Sequence, residues 1–265
     1  MRILHVLDHS LPLHSGYTFR TRAILKAQQA MGLQVMGVTG RRHYQDGPDP
    51  ESVDGLTFAR TAKGRALPSP FSEMAEIRAF SRTIAAAVDR FRPDVVHAHS
   101  PVLGALGALR ALKGRVPLIY EIRAFWEDAA VGNGTGIEGN ARYRLTKALE
   151  TWAVRRADAV AVICEGLRVD LVRRGIPADK IVVSPNGVDL TLFGTPSAPD
   201  AALAAELGLT DAEVVGFIGS FYDYEGIDDL IAAMPALVER EPAVKLLIVG
   251  GGPCEAALKH QAAAS

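Results

Sequence analysis

Cysteine is nearly absent from this 265-residue chain: Cys164 and Cys254 are too few for a disulfide framework and lack the spacing of metal ligands. Both are read as reduced thiols. No stretch approaches the ~20 apolar residues needed to span a bilayer. Met1-Arg2-Ile3 runs directly into a strand pattern, leaving no room for the charged and apolar regions of a signal peptide. A cytoplasmic protein is expected, at most peripheral on the inner membrane. A surplus of either charge is missing too. With 29 Lys and Arg against 30 Asp and Glu, the net charge of −1 provides no global field for nucleic acid, so any anion must be bound locally. No solenoid-length repeat occurs.

What the chain does have is apolar content, 48%, enough to bury the core of one large or two small domains. Its most informative stretch is Ala157 to Phe193, ADAVAVICEGLRVDLVRRGIPADKIVVSPNGVDLTLF. Two short β-rich runs, Ala159–Ile163 and Ile181–Val183, flank a helical segment that ends at Arg174-Gly175. That is a βαβ unit, with parallel strands and a right-handed crossover. Ligands of parallel α/β sheets gather at strand carboxyl ends, so Pro185-Asn186-Gly187 is a candidate site wall through Asn186 and Gly187.

The same alternation runs through the chain. Strands are expected at Arg2–Leu7, Gln34–Thr39, Leu56–Arg60, Val95–Ala98 and Leu118–Ile122, with helices at Gly16–Met31 and Phe71–Phe91. The second helix places Met74, Ile77, Ile84 and Val88 on its apolar face. Residues 194–212 form a linker or peripheral helix. The pattern then restarts with strands Glu213–Ile218 and Lys245–Val249 and helices Gly226–Glu239 and Pro253–Ala263. The expected fold is α/β: a doubly wound, parallel-sheet, Rossmann-like domain over 1–193, and an incomplete second one over 213–265.

Candidate chemistry sits at strand ends. Ser15-Gly16 opens the first helix, where backbone N–H groups can approach a phosphate, although an ordinary turn reads the same way. Arg20, Arg22 and Arg41-Arg42-His43 offer a local basic edge or simply solvated cations. His97 and His99 flank Ala98 and are expected on opposite sheet faces, leaving His99 to reach the crevice and contact a ligand or to serve as a hydrogen-bonded core histidine. Glu121, Arg123, Trp126, Glu127 and Asp128 are placed in a glycine-rich loop, where Glu121 or Arg123 would orient a hydroxyl or steady a phosphate; a loop salt bridge is the plainer reading. Gly219 to Gly226, with Ser220, Tyr224 and Glu225 between, opens a second helix, and Gly251 lies in a glycine turn that ends the next strand. No metal site is expected, since no third ligand has suitable spacing.

Three segments carry a resemblance: the 157–193 stretch, RPDVVHAHSP at Arg92–Pro101 and VVGFIGSFYDYEGIDDLIAAMPAL at Val214–Leu237. Together they resemble the family 4 retaining glycosyltransferases of GT-B architecture. YEIRAFWEDAAV and GSFYDYEG are most similar to the group associated with exosortase A (PEP-CTERM) systems of exopolysaccharide assembly. The resemblance implies a metal-independent hexosyltransferase without cofactor, using a UDP- or GDP-sugar as substrate. Its catalytic residues would be His99, Glu121 and Arg123. Ser15, Gly16, Asn186, Gly187, Gly219, Ser220, Tyr224, Glu225, Gly226 and Gly251 would meet the donor. Arg20 and Arg41 would meet a glycan or polyprenyl-diphosphate-linked acceptor.

The pattern is incomplete. Relatives place threonine at Glu121, histidine at Arg123, arginine at Ser220 and lysine at Glu225, and their acidic donor-binding pair has no match up to Ser265. A truncated, inactive donor domain is therefore expected. A sugar-nucleotide epimerase and a non-catalytic glycan-binding fragment remain the alternatives. An NAD-linked oxidoreductase is more distant, lacking the spaced glycines after the first strand.

Overall fold

The structure, a computed structural model, describes residues 1–43, 49–63, 71–132, 134, 136–191 and 197–264. The expected domain end at 192–193 and linker start at 194–196 lie outside them. Two compact units divide the chain: 1–129 with 137–187, and 130–136 with 188–265.

The first unit is built on β1 (Arg2–Leu7), β2 (Gln34–Thr39), β3 (Glu51–Val53), β4 (Leu56–Arg60), β5 (Val95–His99), β6 (Leu118–Ile122), β7 (Ala159–Val162) and β8 (Ile181–Val183). They form one sheet in the order β3-β4-β2-β1-β5-β6-β7-β8, parallel except where β3 pairs antiparallel with β4. Six helices accompany it: α1 (Gly16–Ala30), α2 (Phe71–Phe91), α3 (Val102–Leu112), α4 (Trp126–Gly132), α5 (Ala141–Arg156) and α6 (Glu165–Arg173). Continuous apolar strands are the mark of a sheet covered on both faces. Leu4, Val6, Val96, Ala98 and Ile122 accordingly have no exposed surface. On α2, Ile84 and Val88 enter the core beside Phe80, whereas Met74, expected on that face, is exposed. Strand order reverses between β1 and β5, the topological switch point at which such sheets open a crevice.

Two expectations are corrected here. Trp126, Glu127 and Asp128 are helical, forming the first turn of α4, and Glu127 is buried against Arg174 at 2.8 Å. His97 and His99 share one sheet face, because side chains alternate with a period of two and residues two apart point the same way. Their rings stack at 4.2 Å.

The second unit pairs β9 (Glu213–Ser220) and β10 (Val244–Gly251) in parallel and adds α7 (Ala201–Glu206), α8 (Ile227–Arg240) and α9 (Glu255–Ala264). Phe221, Ile227, Ile231 and Leu258 form its core. Gly250 is required where the strands end: at φ +149° a Cβ there would lie 1.8 Å from the carbonyl oxygen of Gly219.

Candidate functional site

At the switch point the polar residues of the first unit are organised by one carboxylate. Glu121, at the end of β6, is 2% exposed. Its Oε1 accepts from Arg123 Nε at 2.9 Å and Arg20 Nε at 3.1 Å. Burial alone would raise its pKa, but the contact with His97 and the Arg123 charge reverse this and hold the carboxyl well below its usual range.

Both guanidinium groups are already committed. Arg20 donates to Asn186 Oδ1 at 2.7 Å and to the carbonyls of Pro185 and Ser184 at 3.3 and 3.1 Å, tying α1 to the turn after β8. Arg123 donates to His99 Nδ1 at 2.9 Å, Thr21 Oγ1 at 3.2 Å and the Tyr17 carbonyl at 3.3 Å, and stacks 4.4 Å above the Tyr17 ring. Each therefore spends four of its five N–H donors within the protein. These residues fix the Ser184–Asn186 turn and the start of α1.

The histidines behind them form a relay whose protons can be assigned from the network. Arginine only donates, so His99 Nδ1 is an acceptor and its proton sits on Nε2. That proton is donated to His5 Nδ1 at 3.0 Å, and His5 passes its own to Gln28 Oε1 at 2.8 Å. Neutral rings are what burial demands: His99 is pushed down to about 3 by burial and by His97, and His5 is also well below its usual value. His99 has no exposed surface and accepts from Arg123. Nitrogens of His5, His97 and His99 lie within 4.8 Å of one another, close enough to suggest a cation. However, hydrogen bonds occupy the lone pairs of His5 and His99, leaving only His97 Nε2, 3.2 Å from Glu121 Oε2, without an aligned partner. The donor set fits a hydrogen-bonded chain of neutral rings.

The part of the site open to a ligand lies at the amino end of α1, which Ser15 caps by accepting from Thr18 N–H at 3.1 Å. A Cβ built on Gly16 meets nothing within 4 Å, and the first turn contains no acid. Beside it His9 joins Asp8 Oδ2 (3.0 Å) to Ser15 Oγ (2.8 Å) and lies 4.6 Å from the Tyr17 ring. Tyr17 OH in turn accepts the Asp8 N–H at 3.0 Å, and burial raises its phenol above the usual range. Asp8, His9 and Tyr17 were missed by sequence reasoning. Their signal was the polar pair immediately after an apolar strand. The basic edge is also redistributed: Arg42 approaches Asp8 at 3.7 Å, Arg41 bonds the Ala62 carbonyl, and His43 is buried. The open space around Gly187 matches that around Gly16.

In the second unit Gly219 and Ser220 end β9, Tyr222 and Tyr224 stack at 5.3 Å, and Gly226 (φ +68°) caps α8 without side-chain help. Asp228 and Asp229 in the first turn join Asp223 and Glu225 to make this helix end acidic, a poorer phosphate site than the start of α1. Gly251 accepts the Phe221 N–H through its carbonyl at 3.0 Å.

A doubly wound sheet with an open helix amino terminus at its switch point defines a Rossmann-like fold. Within that class, residues 15–187 match the family described as "Glycosyl transferase 4-like domain" and residues 212–265 the one described as "Glycosyl transferases group 1". The chain belongs to the glycosyl transferase 4-like family, and its fold is of GT-B type. It is 35% identical over 163 residues to a D-inositol 3-phosphate glycosyltransferase of Nocardia farcinica, covering 60% of this chain and 35% of that one. Over 244 residues it is 29% identical to the Kineococcus radiotolerans enzyme of the same name, covering 86% and 54%. Among solved structures, sucrose-phosphate synthase from Thermosynechococcus elongatus superposes with a TM-score of 0.69 at 20% identity, over 98% of this chain and 65% of that one. Anabaena HepE in complex with UDP gives 0.69 at 17%, over 100% and 66%. The chain thus spans about a third to a half of the length of these curated relatives.

Proposed function

We propose that the chain serves transfer of a hexose from a nucleotide-sugar to a glycan or polyprenyl-diphosphate-linked acceptor, with retention and without a metal, in exopolysaccharide or other cell-surface polysaccharide assembly. It would work in the cytoplasm, peripheral to the inner membrane. Family membership and the UDP held by a relative of the same fold support the donor class. The observation that carries the reading is the acid-free amino end of α1, open above Gly16, with the Asp8–His9–Ser15 chain beside it at the strand ends.

In this reading the donor diphosphate meets the Gly16 and Tyr17 N–H groups, where the helix dipole offsets its charge. The acceptor hydroxyl attacks the anomeric carbon on the face from which the diphosphate leaves. As the new C–O bond forms, the old one breaks and the hydroxyl proton passes to the leaving phosphate oxygen. His9, backed by Asp8, orients that hydroxyl. Glu121, Arg123, His99 and Arg20 act through the residues they hold.

The test is a donor–acceptor panel assayed for nucleoside diphosphate release, and release by this chain would at the same time overturn the expectation of an inactive donor domain. Acceptor-dependent release, lost in Gly16→Asp, supports the reading. Formation of an epimerised nucleotide-sugar without any acceptor would replace it with the epimerase alternative.

A further inference from the structure

One surface of the first unit stands apart from the site and from the near-neutral charge of the whole chain. Helix α5 contains Arg142, Arg144, Lys147, Arg155 and Arg156 but a single acid, Glu150, which has no exposed surface and accepts the hydroxyl of Tyr120. The outward charge of this helix is therefore uniformly positive. Among the described residues none of those five bases is engaged in an ion pair.

On the same helix Leu145, Leu149 and Trp152 follow one another at spacings of four and three, which places them on one side. They are 61%, 39% and 42% exposed. An apolar triplet that a soluble helix would bury is here left to solvent. It borders an open groove of about 960 Å³ between α2, α3 and α5, floored by Ile77, Leu106 and Leu109 and rimmed by Arg110 and Arg156. The Arg156 guanidinium lies 4.0 Å over the Trp152 ring, so the indole and a cation are presented together.

We propose that α5 and this groove dock the protein on an anionic lipid bilayer. The cations would face lipid headgroups while Leu145, Leu149 and Trp152 enter the boundary between headgroups and acyl chains. Charge selects this occupant: a helix facing outward with bases alone is complementary to an anionic surface and repels an identical helix, which disfavours a second copy of the chain. Amphipathic helices with a basic polar face and Trp or Leu on the other bind interfaces by this combination. The proposal deepens the membrane-facing part of the proposed function by assigning it a surface. It stands or falls separately from sugar transfer, which a soluble acceptor reports without any membrane.

The experiment is sedimentation of the full chain with vesicles of phosphatidylcholine alone or mixed with phosphatidylglycerol, with tryptophan emission recorded in parallel. The expected result is binding to the mixed vesicles only, weakened by salt, with a blue-shifted emission that is absent in Trp152→Phe. Arg144→Glu and Lys147→Glu together should reduce partitioning by well over tenfold, from roughly fivefold per charge. Leu145→Ser with Leu149→Ser should reduce it with unchanged thermal unfolding. Equal binding to neutral vesicles, no binding to either, or unchanged binding in the charge-reversed variant would overturn the proposal. So would a dimer in sedimentation velocity whose formation the Leu145 and Leu149 changes abolish, since that would make the groove an interface between copies.

Discussion

Replacing Glu121 with glutamine removes one negative charge and almost no volume, so it isolates the electrostatic role of the carboxylate. In the native protein that charge lies 2.9 and 3.1 Å from two guanidinium nitrogens whose side chains are only 13% and 15% exposed. Taking one partner from a buried ion pair costs about 3–5 kcal/mol, because the remaining charge is left unpaired. The residual exposure of both arginines places Glu121→Gln near the lower end, about 3 kcal/mol. For a unit of this size each kcal/mol lowers Tm by about 2–4 °C, so a drop on the order of 10 °C is expected. Asp54→Asn is the control: it removes the same charge from Arg22 and Lys26, but all three side chains are more than a third exposed, so solvent screens the contacts and a far smaller drop in Tm is expected. Scanning calorimetry of both variants decides the matter. Equal losses would refute the reasoning, since they would show that the carboxylate at the switch point carries no more energy than a surface acid.

The other predictions concern single groups. Burial raises Glu150 from 4.5 to about 7, so the folded protein keeps a proton that the unfolded chain has released. Stability should fall as pH rises between about 4.5 and 7, by about 3 kcal/mol in all, and level off above; Glu150→Gln should flatten denaturant midpoints across that window. His9→Ala should lower kcat by roughly 10²-fold through lost orientation of the hydroxyl, with little change in Tm, whereas His99→Ala should mainly lower Tm, by leaving one Arg123 N–H and His5 Nδ1 without a partner. Gly250→Ala should destabilise the second unit by at least about 2 kcal/mol, read by urea unfolding, since its Cβ has no room beside Gly219.

Most strands and the position of their ends were legible because strands of a parallel sheet leave continuous β-branched runs, as in Val95-Val96 and, on the edge strand, Ile181-Val182-Val183. Helix α3 was not: Val102 to Leu112 is apolar nearly all round, so it offers no helical period to read. Helix α5 hid for the opposite reason, keeping Leu and Trp on its exposed side. The candidate site was legible as a list of polar residues at strand ends but not as a division of labour. Whether Arg20 and Arg123 are free or committed depends on partners up to 166 residues away, such as Asn186 for Arg20, and on donor counts that only geometry supplies. Asp8 and His9 lie next to a recognised strand yet gain meaning only when Ser15 and Tyr17 close around them.

The most direct measurement of the central claim is an NMR time course of a nucleotide-sugar panel with the protein, run with and without an acceptor alcohol. The account predicts that the anomeric signal of a new glycoside appears only with acceptor and in the donor's own configuration, alongside free nucleoside diphosphate. A product of inverted configuration, or a changed sugar ring without acceptor, would contradict it.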